Sequence, residues 1–390
     1  MSVPVAARGL ATTFLLLAAV AAVSGGDSPT SASPVEPQRT QAPFPWPKEM
    51  RGVNIILGHI TEADLEHLAS DWKANSVRLM ADNVGNFLAN EPPYAINTER
   101  LKSLEEVVGW CRKHGLSCVI NLEQPQPGRN ANWFWQTPDA QQKFIELWQT
   151  IAGTYAESPS VDGRGPVIAY DLMNEPHGNG AGEVWPRLVP RLTSAIRKVD
   201  AVHPIVVEPP PWGNAEGFVD LKPLNADANT VYSFHFYEPF DFTHQRGAAG
   251  TLRAKPEDHP LGLHYPGRIK AFWKDAEIED WNKATIRARV EPVVRFRDTY
   301  KVPVWCGEFG CTRWADGAPQ YIRDCLDTWE ELGIGWAWYS YREWYAMDLE
   351  QGTEDRSRQA PRFESDLVKL IKPYFARNVE ALPGQAAPKE

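Results

Sequence analysis

Apolar residues along the chain fall into short runs that recur at intervals. RGVNII, SVRLMA, SCVINLE, PVIAYDL, PIVVE, TVYSFHF, VPVWCG and IGWAWYS are each rich in β-branched or aromatic residues and too short for an ordinary helix. Between most of them lie longer stretches in which apolar residues return every three or four positions. This spacing predicts helices over 62–74, 98–114, 138–156, 184–201, 285–300 and 319–332. Thr61 and Thr98 stand where helix N-caps belong, and Gly115 and Gly333 where C-terminal glycines belong.

Eight nearly continuous apolar strands alternating with helices predict a parallel sheet buried on both faces. A count of eight favours a closed (β/α)8 TIM barrel, one catalytic domain of the α/β class, over an open doubly wound sheet. No glycine-rich phosphate loop follows an early strand, which also argues against a dinucleotide-binding fold. A barrel places its chemistry at the C-terminal strand ends and in the loops that follow. Read in order, those ends are Arg78, Glu123, Asn174 with Glu175, Glu208 with Trp212, His235 with Tyr237, Glu308 and Trp338.

The chain ends read differently from its middle. Arg8 followed by the apolar run LATTFLLLAAVAAVSGG and small residues predicts a secretory signal peptide over 1–25. The run is short for a membrane span, and no Cys follows it to carry a lipid; an uncleaved anchor is the alternative. A Pro/Ser-rich linker is predicted over 26–42, the barrel over 43–380 and a polar tail over 381–390. These features predict a secreted or periplasmic protein with no stable membrane insertion after cleavage.

Net charge is −10 and no Lys/Arg cluster occurs, which excludes a nucleic-acid partner and favours a neutral or cationic substrate. Sixteen Trp is a high count, and many fall in predicted loops, where a flat apolar ring with a polar edge suits a sugar. Five Cys leave at least one without a partner in the chain. Bridges Cys311–Cys325 and Cys111–Cys118 are both open. No Cys/His spacing predicts zinc, and neither a metal nor another cofactor is expected.

The stretch YDLMNEPHG finishes a strand with Asn174 and Glu175 and blocks the backbone with Pro176. Taken alone it reads equally as a turn. On a barrel, Glu175 ends the fourth strand and Glu308 the seventh, and the two face one another across the mouth. Opposed carboxyls among aromatic residues suggest glycoside hydrolysis, in which one carboxyl gives a proton to the leaving oxygen and the other attacks as the anion. Arg78 is placed to hold Glu308 ionised, Tyr237 to donate a hydrogen bond to it, His235 to position a glutamate or a hydroxyl, and Asn174 to bond a sugar hydroxyl.

RGVNI, VRLM, YDLMNEPHG, FHFYEP, WCGEFG and WAWYSY, in this order at strand ends, resemble glycoside hydrolase family 5, the cellulase family of the large retaining (β/α)8 clan. The resemblance spans roughly residues 51–374. It implies that Glu175 is the general acid/base and Glu308 the nucleophile, with Arg78, Asn174, His235 and Tyr237 supporting them. It further implies a stacking role for Trp338, retention of anomeric configuration and no cofactor. The sequence departs from the family at the third strand end, where Glu123 and Gln124 stand where a His is often found.

Trp133, Trp135 and Trp212 read as lining outer subsites or as loop anchors. Glu343 and Trp344 read as substrate contacts or rim residues, Glu208 as a rim residue, and His177 as structural. The long connection 237–281 reads as a lid or cleft wall that sets substrate length. The expected substrate is a β-1,4-glucan, with mannan, mixed-linkage glucan, β-1,3-glucan or a non-catalytic sugar-binding role as alternatives. No separate carbohydrate-binding module is visible, and a monomer is expected.

Overall fold

The computed structural model describes residues 46–47, 49–81, 87–157, 167–246, 262–270 and 278–380. The predicted signal peptide, the linker and the polar tail lie outside the described residues. Eight parallel strands close on themselves: β1 (Arg51–Ile56), β2 (Ser76–Met80), β3 (Ser117–Glu123), β4 (Val167–Asn174), β5 (Ile205–Val207), β6 (Thr230–Phe236), β9 (Val304–Phe309) and β10 (Gly335–Trp338). Neighbours pair in parallel around the ring, and β10 returns to β1 through Arg51–Trp336 and Val53–Trp338. The TIM barrel read from the sequence is therefore the fold.

Two short strands not anticipated, β7 (Gly267–Lys270) and β8 (Ile278–Trp281), form an antiparallel pair within the long connection after β6. The helices are α1 (Glu62–His67), α2 (Thr98–Lys113), α3 (Pro138–Tyr155), α4 (Ala181–Arg197), the single-turn α5 (Phe240–Thr243), α6 (Lys283–Arg289), α7 (Glu291–Tyr300), α8 (Ala318–Leu332) and α9 (Asp366–Glu380). Thr61 caps α1 through a reciprocal capping box with Asp64. At α2 the cap is Asn97, not Thr98: its side-chain oxygen accepts the amides of Glu99 and Arg100, which makes Thr98 the first helical residue. Gly115 and Gly333 do carry left-handed backbone, φ +69° and +62°. The predicted helix at 285–300 is two helices, because the chain turns at Val290 ahead of Pro292.

Strand alternation decides what faces the barrel axis. The inner floor is a small apolar cluster that includes Trp46, Met50, Val119, Val206, Val231, Trp305 and Ala337. The outward positions, such as Val53, Leu79, Ile120, Tyr232, Phe234, Trp336 and Trp338, join the larger core under the helices. Above the floor the interior turns polar, with Asn54, Arg78, Asn121, Asp171 and Ser233 all fully buried. α9 closes the outer ring: Asn378 accepts from Arg51, and Tyr374 donates to Asp327 of α8.

Candidate active site

Arg78 occupies the centre of the polar layer and is completely buried. Position 78 falls on the inward parity of β2, with Ser76 below it and Met80 above. Its five N–H groups are all engaged. Nε donates to Asp171 at 2.7 Å, Nη1 to Glu308 at 2.6 Å and Asn54 at 3.1 Å, and Nη2 to Glu208 at 2.7 Å and Asn174 at 2.9 Å. One guanidinium thus ties β1, β2, β4, β9 and the residue after β5.

Glu308 receives Arg78 on one oxygen and the Tyr237 hydroxyl on the other, at 2.7 Å. His235 Nδ1 lies 3.6 Å from Glu308 and 2.8 Å from Glu175. Burial raises the Glu308 pKa above the ordinary carboxylate range, while His235 and Arg78 pull the other way. Burial opposes charge on His235 too, but Glu208 and Glu308 outweigh it and hold the imidazole well above its usual value. Tyr237 is held well above the usual phenol range by burial and by Glu308, so it remains a donor.

Glu175 follows β4 in left-handed backbone, φ +46°, which turns its side chain into the cleft. Its side chain is 24% exposed, against 4% for Glu308. The more open carboxyl is the one placed to exchange protons with solvent or a leaving group. Ligand atoms of Glu175, His235 and Glu308 all lie within 4.8 Å of one another. Three such groups can in principle hold a cation, but a protonated imidazole offers no lone pair to a metal.

The cleft at the strand ends encloses about 730 Å³. Its base carries Glu123, Asn174, Glu175, His235, Tyr237 and Glu308. Its walls carry Trp212 and Pro211 from the loop after β5, Phe240 and His244 after β6, and Tyr339 and Trp344 after β10. Trp212 is 44% exposed and stacks on His177 with ring centroids 3.6 Å apart. Phe240 stacks on His244 at 4.1 Å, and Trp344 lies 5.9 Å beyond. Burial lowers the His244 pKa to about 3, so that this wall is neutral.

Of the residues read from the sequence, Arg78, Glu123, Asn174, Glu175, Trp212, His235, Tyr237 and Glu308 converge here. Trp338 does not. It is fully buried on the outer side of β10, edge-on to Phe309 at 5.3 Å, with its indole N–H on the Met347 carbonyl. Strand parity is the reason: Ala337 faces inward, so the next inward residue is Tyr339, which lines the cleft in its place.

Glu208 is not a rim residue. It is wholly buried and bonds Arg78 and the Glu175 amide. Glu343 does not reach the cleft lining; it accepts the hydroxyls of Tyr339 and Ser340 and so braces the cleft wall. Trp135 is an anchor that donates to the His177 carbonyl, and Trp133 packs edge-on against Tyr94. In the long connection, Phe242 and Tyr265 are core residues, while Trp273 lies outside the described residues. All five cysteines are buried free thiols.

Glu123 sits at the inward end of β3 beside the acidic pair. Burial and the charges of Glu308 and Glu175 push its pKa well above the usual range, partly offset by Arg78 and a hydrogen bond from Asn174. The side chain that departs from the resemblance is thus biased toward a neutral carboxylic acid that can both donate and accept.

A closed parallel barrel with paired carboxyls at the base of an aromatic-walled cleft is the architecture of a glycoside hydrolase. The chain belongs to the cellulase family, glycosyl hydrolase family 5, whose model matches residues 38–343. It is 26% identical over 324 residues to endoglucanase C of Acetivibrio thermocellus, covering 76% of this chain and 87% of that protein. It is 27% identical over 256 residues to cellodextrinase A of Ruminococcus flavefaciens, covering 64% and 68%. Among solved structures, an endoglucanase from the hyperthermophilic Thermotoga maritima superposes with a TM-score of 0.66 at 22% identity, over 83% of this chain and 97% of that one.

Proposed function

We propose that this hydrolase cleaves a β-1,4-glucan with retention of configuration, using Glu308 as nucleophile and Glu175 as acid/base. The observation that carries the mechanism is the spacing of the pair. Their facing oxygens lie within 4.8 Å, in the range of about 5 Å of retaining enzymes and short of the roughly 6.5–9.5 Å that leaves room for a water in inverting ones.

In the first step a Glu308 oxygen bonds to the anomeric carbon while Glu175 gives its proton to the departing glycosidic oxygen. Arg78 and Tyr237 supply donors that keep Glu308 anionic and aimed. In the second step Glu175, now the base, takes a proton from water, and the water oxygen displaces Glu308. Asn174 commits its carbonyl to Arg78, which leaves its amide N–H groups for Glu123 and for a sugar hydroxyl. Glu123 supplies a further contact to sugar hydroxyls. Trp212 and Tyr339 offer ring faces to successive sugars, and Phe240, His244 and Trp344 bound the far wall.

The glucan reading is supported by endoglucanase C and cellodextrinase A among the relatives. The segment 1–25 supports export, so the enzyme acts outside the cytoplasm on polymer it meets there. Among the described residues no helix is long and apolar enough to cross a membrane.

Reducing-sugar release from carboxymethyl cellulose, mixed-linkage glucan, laminarin, glucomannan, galactomannan and xylan tests the substrate, with Glu175→Ala and Glu308→Ala as controls. Proton NMR of the first-formed product tests the stereochemistry. Appearance of the α-anomer first would overturn the retaining assignment, and turnover confined to mannan or xylan would overturn the glucan one.

A further inference from the structure

We propose that Glu208 is the positioning residue of the acid/base, a role that rests on the assignment of Glu175 made above. Glu208 follows β5, is completely buried, and lies at the junction of three groups that the reaction uses. Its Oε2 accepts the backbone N–H of Glu175 at 2.8 Å. Its Oε1 accepts Arg78 Nη2 at 2.7 Å and stands 3.2 Å from His235 Nε2. The last contact is a charge pairing rather than an aligned hydrogen bond, since the imidazole Nε2 lacks a well-directed partner.

Burial works against an anion at this position, yet His235 and Arg78 outweigh it and hold the Glu208 carboxyl below the ordinary range. Glu208 is therefore an anion in a place where an unpaired one would be prohibitive. The surroundings are built to hold it. Trp185 of α4 donates its indole N–H to the Glu208 carbonyl at 2.8 Å. Gly213, in left-handed backbone, leaves room for the carboxylate: a Cβ there would come within 2.6 Å of Oε2.

The consequence concerns Glu175. Its left-handed φ is unfavourable for a residue with a side chain and persists only if the surroundings enforce it. The Glu208 carboxylate enforces it from the backbone side, through the amide. It also steadies His235, whose Nδ1 meets the Glu175 carboxyl 2.8 Å away. Glu208 thus fixes both ends of the acid/base. Glu308 depends on it far less, because it keeps Arg78 and Tyr237 as direct donors.

The test exploits leaving groups. Cleavage of a sugar–sugar bond needs a proton from Glu175, whereas 2,4-dinitrophenolate departs without one. The kcat/KM of wild type, Glu208→Gln and Glu175→Gln is measured on cellotetraose and on 2,4-dinitrophenyl β-cellobioside, with melting temperatures alongside. Glu208→Gln is expected to lose about ten- to a hundred-fold on cellotetraose and only a few-fold on the aryl substrate. Gly213→Ala, which crowds the carboxylate without removing its charge, is expected to shift the ratio in the same direction. Equal losses on both substrates in Glu208→Gln would reduce Glu208 to a structural ion pair and overturn the proposal, as would an unchanged rate. If Glu175→Gln itself lost equally on both substrates, the acid/base assignment would fail first and the role of Glu208 with it.

Discussion

Removing the Tyr237 hydroxyl isolates one of the three influences that favour the anion of Glu308, the proposed nucleophile. Tyr237→Phe keeps the ring, its edge contact with His244 at 5.1 Å and its approach to Tyr339 at 6.3 Å, and deletes only the donor 2.7 Å from Glu308 Oε2. A hydrogen bond to a charged acceptor contributes about 1.5–3 kcal/mol. That corresponds to a factor of roughly 10–150 in the balance between the carboxylate and its acid.

The sign follows from the surroundings. Burial already raises the Glu308 pKa, with His235, Arg78 and Tyr237 pulling it down. Losing Tyr237 leaves the upward push less opposed. More of the enzyme is protonated at any given acid pH, and the acid limb of kcat/KM moves to higher pH. The assay is kcat/KM on a soluble oligosaccharide across the acid and neutral range, for wild type and Tyr237→Phe. On the acid limb the variant falls by a factor within that window, and at higher pH the two enzymes converge. A uniform drop at every pH, with the limb in place, would refute the reasoning and assign the hydroxyl to the substrate instead.

Trp338→Phe is expected to cost about 1–3 kcal/mol of stability by chemical denaturation, because the Met347 carbonyl loses its indole partner, with KM unchanged. Tyr339→Ala is expected to raise KM with little change in stability; a raised KM in Trp338→Phe would reverse this assignment of the platform. If Glu123 works as a neutral acid, Glu123→Gln preserves KM better than Glu123→Ala, and equal defects would show that an anion is required. Dialysis against EDTA is expected to leave kcat/KM unchanged, since His235 is held protonated; activity that returns only with added metal would contradict that.

Much of the fold was legible because its signals are local. Eight apolar runs of strand length, separated by helical periodicity, specify a parallel sheet buried on both faces. The segments missed are those with weak or misplaced signals. β7 and β8 are four residues each, and α9, the helix a (β/α)8 barrel requires after its eighth strand, lies beyond a long connection that separates it from β10. DLVKLIKPYFARNVE nevertheless carries an amphipathic pattern that could have revealed it.

At the site, chemistry at strand ends pointed to Glu175 and Glu308, and a barrel brings such ends together whatever their distance along the chain. The two errors have different causes. Trp338 failed on parity, because its inward or outward sense depends on a register that β10 acquires only against β1 and β9. Glu208 was underrated because a carboxylate in sequence looks the same on a rim as in a core. Its role comes from Arg78, His235 and the Glu175 amide, contributed by β2, β6 and the end of β4.

By itself, then, the sequence determined which residues are apolar, where strands and helices alternate, and which polar side chains stand at strand ends. Those follow from local sterics and burial. Only the closed barrel decided which of two neighbouring aromatic residues faces the cleft and which buried carboxylate is held as an anion. Both depend on partners tens to hundreds of positions away, whose approach is set by strand register and the low dielectric of the interior.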